Sequence, residues 1–105
     1  MIRYRGIELD RKKAMISHAG SVHTFRPFDG RHLMFDSFRW LILSNGITKP
    51  ELFDRIYAYD PDGGPLDGPH IFDIRFWTWK PVFQKLKLQL RKERISGVLC
   101  YELCP

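Results

Sequence analysis

Seven cationic side chains, Arg75, Lys80, Lys85, Lys87, Arg91, Lys92 and Arg94, fall within twenty residues of one another. Guanidinium and ammonium groups at that density suit phosphate oxygens, which accept charge-assisted hydrogen bonds. Other reactive groups are sparser. Cys100 and Cys104 have a spacing that can supply two zinc ligands, but the four histidines, at 18, 23, 32 and 70, stand in no ligand-like spacing with them. One cysteine pair makes no disulfide framework, so both are expected as reduced thiols, with no metal and no cofactor. Asp60, Asp62 and Asp67 around Gly63-Gly64 superficially suggest a calcium loop, yet the glutamate that closes an EF-hand loop at its twelfth position is absent. A Gly-rich phosphate loop, His-Glu-x-x-His and Gly-x-Ser-x-Gly are all missing, and catalysis is not expected.

The cations matter because of where they sit. Net charge is +5, but residues 1–48 hold eight basic and four acidic groups, residues 49–73 two and six, and residues 74–105 seven and two. An acidic middle thus separates two basic segments, and the last third carries the electrostatic footprint expected of a partner for an anion. The chain has 105 residues, 44% hydrophobic and 14% aromatic, enough for one core and too short for two. Its apolar runs do not exceed four residues, as in Trp40-Leu41-Ile42-Leu43, against the ~20 that cross a bilayer. No apolar stretch follows Met1-Ile2-Arg3-Tyr4-Arg5, so no signal peptide is expected, and the location expected is cytoplasmic, associated with the nucleoid.

What must position these groups is legible from periodicity. Residues 1–25 read as short antiparallel strands: Ile7-Glu8-Leu9 alternates, Met15-Ile16-Ser17 follows two lysines, and Ser21 to Phe25 follows an Ala19-Gly20 turn. A first helix is expected over 29–45, capped by Asp29, with Leu33, Met34, Phe38, Leu41 and Ile42 at helical spacing and a stop at Asn45-Gly46. A second is expected over 48–57, with Thr48 and Glu51 as a capping box and Pro50 in the first turn. Three prolines and three glycines between Asp60 and Pro69 dictate a loop over 58–69. A third helix over 70–86 follows from Phe72, Phe76, Trp79, Phe83 and Leu86 at spacings of 4, 3, 4 and 3. Pro81 should kink or restart it. From Leu86 the period changes to two, and a hairpin over 87–104 turns at Ser96-Gly97.

That order of elements describes an α+β winged helix-turn-helix: a small N-terminal antiparallel sheet, three helices and a C-terminal β-hairpin wing, in a single domain over 1–105. The sequence resembles the OmpR-type winged-helix DNA-binding domain, the effector module of many bacterial response regulators. The resemblance rests on Gly6-Ile7-Glu8-Leu9-Asp10, on Ser44 to Leu52 between the first two helices, and on Phe72-Asp73-Ile74 beside the family's Val-Asp-Val. It rests also on Gly97 with Tyr101-Glu102-Leu103, beside its Gly-Tyr-Arg-Leu. Phe76-Trp77-Thr78-Trp79-Lys80 departs from the family's Ile-Arg-Arg-Leu-Arg and lacks two arginines. The 105 residues hold no receiver domain, so a stand-alone regulator is expected, such as a phage or bacterial repressor.

The function expected is therefore sequence-specific binding of double-stranded DNA, with the third helix in the major groove. On that helix His70, Ile74, Trp77, Thr78 and Lys85 face away from the apolar stripe, flanked by Arg75 and Lys80. Ile74 and Thr78 suit thymine methyls, and Arg75 and Lys80 suit guanine or phosphate. Arg91, Lys92, Arg94 and Ser96 would place the wing on phosphates or in the minor groove, and Thr48 and Lys49 would hold a phosphate at the second helix. The resemblance implies that the 58–69 loop contacts RNA polymerase or another regulator, and that DNA is bound by a dimer or by tandem copies. The alternative expectation is a protein-interaction module, an adaptor or anti-activator on the same fold.

Overall fold

The computed structural model describes residues 1–27 and 32–105. Four short strands open the chain, β1 (Ile2–Tyr4), β2 (Ile7–Asp10), β3 (Met15–His18) and β4 (Ser21–Thr24), paired as an antiparallel meander in sequence order. Register is set largely by two-residue turns at Arg5-Gly6 and Ala19-Gly20, each with both residues at positive φ, a geometry whose twist matches that of the strands it joins. Arg5-Gly6 joins β1 to β2, within the stretch expected to form short strands. Ile7, Leu9 and Ile16 are fully or almost fully buried on the face turned to the helices.

The first helix, α1 (Leu33–Leu43), begins later than residue 29. The Asp29 cap expected for it lies outside the described residues, and His32 serves instead. Its ring nitrogen accepts the Phe35 N–H at 3.4 Å, and its own N–H donates to the Asp36 carboxylate at 3.3 Å. Past the end of α1, Asn45 spans two elements: its amide donates to the Tyr4 hydroxyl at 2.7 Å, and its carbonyl accepts the Leu103 N–H at 2.8 Å. The second helix, α2 (Lys49–Ile56), starts as its capping signal requires, Thr48 Oγ1 accepting the Glu51 N–H at 3.2 Å.

The helix expected over 70–86 is a correction. After a 3-10 turn at Gly68–His70 come two helices, α3 (Ile71–Thr78) and α4 (Lys80–Lys85), so the described residues hold four helices and not three. Pro81 lacks the N–H that would bond to Trp77 and sits in the first turn of α4, so the chain restarts at Trp79. The apolar stripe survives the break: Phe72, Phe76, Trp79, Phe83 and Leu86 are all buried. The exit from α4 is tight. Lys87 takes a left-handed φ of 55° while its N–H bonds to Gln84 O and that of Leu88 to Phe83 O, the two bonds of a Schellman cap.

The C-terminal hairpin pairs β5 (Gln89–Ile95) with β6 (Val98–Cys104) through a two-residue turn at Ser96-Gly97. The α1–α2 connection forms a third edge on it. Gly46 N–H donates to Tyr101 O, Tyr101 N–H donates to Ile47 O, both at 2.8 Å, and Thr48 bridges Cys100. Buried side chains from both sheets and all four helices form one cluster. The fold is α+β, a four-stranded antiparallel sheet and a C-terminal hairpin around a helical layer.

Asn45 is the polar clasp between β1, the end of α1 and β6. Asn45→Ala should cost about 1–3 kcal/mol, because it strands the Leu103 amide and the Tyr4 hydroxyl in a half-buried site. Urea unfolding measures this, and a loss below about 0.5 kcal/mol would mean that water replaces the clasp.

Candidate nucleic-acid interface

The apolar stripe decides what α3 shows to solvent. With Phe72, Phe76 and Trp79 buried, the opposite face carries Ile74 and Trp77, 66% and 77% exposed. Trp77 does not pack away under the loop or hairpin. Thr78 lies beside them, its hydroxyl hydrogen donated to Ile74 O at 2.9 Å. The centre of this face is therefore apolar, and its cations sit at the sides.

On the hairpin side, Trp77, Lys80 and Gln84 share a groove of about 600 Å³ with Gln89 and Lys92, floored by Phe76, Phe83 and Leu88. Alternation along β5 sorts the wing cations. Lys92 pairs with Tyr101 and Arg94 with Leu99, so both extend from the face that holds the buried Tyr101 against Phe76, their ring centroids 4.9 Å apart. Arg91 belongs to the other face, 4.0 Å from Glu102. The three wing cations expected to act together are thus split two to one. Arg94 also donates to Gly97 O at 3.3 Å, and Ser96 holds its turn at a φ of 52°.

On the other side of α3, Arg75 lines a second concavity with His23, Arg26, His32 and Trp79, and Lys85 is close enough to act electrostatically on His23. Burial, then Lys85 and His32, hold the His23 pKa below its ordinary value. Burial and Arg26 do the same to His32, and Asp36 opposes them. Both rings are therefore neutral at neutral pH. His23 and Arg26 carry no motif signal in the sequence, because the strand end that holds them meets α3 only in space.

Lys49 departs from expectation. Its ammonium lies 2.8 and 2.9 Å from the two oxygens of Asp73 and its side chain is 13% exposed, so it ties α2 to α3 and is not held out for a phosphate. His70 joins the same cluster, 3.6 Å from Asp73 and 3.5 Å from Lys49. Thr48 caps the helix with its hydroxyl oxygen, and its O–H is left to donate. Arg75, Lys80, Lys85, Lys92 and Arg94, by contrast, have no ion-pair partner among the described residues. The 58–69 loop folds over α2, with Gly64 against Phe53 and Tyr57 where a Cβ would meet ring carbons at 2.8 and 2.9 Å. Its Tyr59 and Leu66 point fully into solvent.

Cys100 and Cys104 are free, and four residues along one strand separate them by about 13 Å, too far for a disulfide. Among the described residues no group of three His, Cys, Asp or Glu side chains is arranged to hold a metal ion, and no helix is long and apolar enough to cross a membrane. Comparison with protein-family models, curated proteins and solved structures returns no match. Fold and surface alone define the class: an α+β domain presenting an apolar helix face between two sets of cations that have no ion pair among the described residues.

The Lys49 hydrogen bonds, foremost among the causes, hold the Asp73 carboxyl below its ordinary 3.8. A depressed acid stabilises the fold above its unfolded pKa and loses that contribution as pH falls through the folded one. Asp73→Asn should therefore cost about 0.5–1 kcal/mol near neutral pH, a figure discounted for the half-exposed carboxylate, and the gap should close by about pH 2. Urea titrations of both proteins across this range check it, and a gap that ignores pH would remove Asp73 as the charge partner.

Proposed function

We propose that this chain is a winged helix-turn-helix regulator that binds double-stranded DNA in a sequence-specific way. α2 and α3 are the helix pair, α3 enters the major groove, and the β5–β6 hairpin is the wing, lying on phosphates or in the minor groove. The observation that carries this reading is the exposed Ile74–Trp77–Thr78 face, set between cations that have no ion pair among the described residues and beside a hairpin whose Lys92 lines its groove and whose Arg94 extends from the same face of the strand. Order of elements supports it too: the α1–α2 connection pairs with β6, which fixes the hairpin against the start of the helix pair. Such a regulator works in the cytoplasm on the nucleoid, and dimeric or tandem binding is part of the proposal. The loop at 58–69 is its contact for RNA polymerase or a second regulator.

An apolar reading face selects apolar features, and in the major groove that is the thymine C5-methyl. The fully exposed Tyr59 and Leu66 favour a second reading, an adaptor that docks on another protein through the loop. Selection from a random duplex pool separates the two, because retention of no fragment at low salt leaves only the adaptor.

Two outcomes are expected from the selected site. Replacing a contacted thymine by uracil should weaken binding about fourfold, the equivalent of ~0.8 kcal/mol for one buried methyl, and this sensitivity should vanish in Trp77→Ala or Ile74→Ala. Lys92→Ala with Arg94→Ala should lower the log–log salt slope by about two units without changing the consensus, while Arg91→Ala should barely move it. Fluorescence anisotropy across a salt series reads both, and an equal effect of Arg91 would overturn the two-faced wing.

A further inference from the structure

We propose that the concavity beside β4 is a phosphate pocket that receives the DNA strand on the side of α3 away from the hairpin. This rests on the DNA-binding reading and extends the contact to residues outside the helix pair and wing. The pocket encloses about 470 Å³. Arg26 approaches it from the end of β4 and Arg75 from α3, with Trp79 and Phe25 among its walls, while Lys85 adds its charge from α4. None of the three cations has an ion-pair partner among the described residues. Among the described residues, the carboxylate that acts on His32 here is Asp36, 9% exposed and accepting the His32 N–H. Two guanidinium groups thus line the pocket beside the neutral rings of His23 and His32, with Lys85 acting on it through His23 and the His32 Nδ1 already accepting the Phe35 N–H.

That chemistry suits a tetrahedral oxyanion. A guanidinium fork matches a pair of phosphate oxygens, and two forks with an ammonium supply charge without demanding any base identity. Helix geometry gives the pocket its strand. Residues 75 and 77 are about 200° apart around α3, so the Arg75 side and the Trp77–Lys80–Lys92 side flank the reading face in opposite directions. A major groove about 12 Å wide has one phosphate backbone on each bank. Lys92 and Arg94 meet one, and Arg26, Arg75 and Lys85 meet the other.

The test follows the imidazole signals of His23 and His32 by NMR, first with inorganic phosphate and then with a random-sequence duplex at low salt. Both additions should raise the apparent pKa of the two rings, because an anion among Arg26, Arg75, Lys85 and Asp36 favours the protonated form. Arg26→Ala with Lys85→Ala, both exposed positions, should abolish both responses and lower the salt slope of duplex binding by about two units. Duplex binding with an unchanged slope and unmoved imidazole signals overturns the proposal. A response to inorganic phosphate with none to bound duplex overturns the backbone assignment and leaves a site for a free anion. Loss of duplex binding by the unaltered protein fails the whole DNA reading, and is recognised because the Lys92 and Arg94 variant then has no binding to lose.

Discussion

The ring of Tyr101 is 1% exposed and packs edge-on against Phe76 at 4.9 Å and Phe72 at 6.5 Å, while its backbone N–H and carbonyl are both taken by the Ile47 and Gly46 edge. One residue of β6 thereby fixes three things at once: the hairpin, the connection before α2, and the inward face of α3. Burial drives the phenol pKa well up, so the ring stays neutral at any working pH. Without that seat the hairpin would be an isolated two-stranded ribbon, which is marginal in water on its own.

From this anchoring the outward surface follows by exclusion. A helix as short as α3, eight residues, has only two turns, and burying Phe72 and Phe76 leaves Ile74 and Trp77 with nowhere to go but solvent. The Trp79 junction allows α4 to continue the stripe, with Phe83 against Phe38 at 5.1 Å, while swinging Lys80 and Lys85 to different sides. The ion pair of Lys49 with Asp73 then fixes the approach of α2 to α3. A polar helix face would have needed no such bracing; an exposed tryptophan on a two-turn helix is useful only if its direction is held.

Local pattern carried much of this architecture. The five-residue apolar stripe, the Thr48 cap and the Ser96-Gly97 turn were readable because each is written within at most fifteen residues, and the break before Pro81 follows from one missing N–H. What could not be read is what crosses long stretches of chain. Lys49 looks like a free cation until Asp73, 24 residues later, is brought to it. His23 and Arg26 acquire meaning only beside Arg75. Arg91 could have been separated from Lys92 and Arg94 by alternation alone, had the buried partner Tyr101 been known to mark the inner face. Thr78 shows the reverse case, a hydroxyl that looks available for recognition and is consumed by its own helix.

β5 has β6 on one side, and β6 in turn takes the Thr48 edge on its own far side, so the seven residues of β5 form the open margin of this small sheet. An unpaired margin invites a second chain to add itself, and charged side chains along it are the usual deterrent. Arg91, Lys92, Glu93 and Arg94 occupy that position here, with Ile95 and Val98 exposed beyond them at the tip. The DNA contact proposed above would use two of these four side chains, Lys92 and Arg94. A polyanion bound there would neutralise two of the three cations that guard the margin, so under that proposal self-association would be least opposed at saturating ligand.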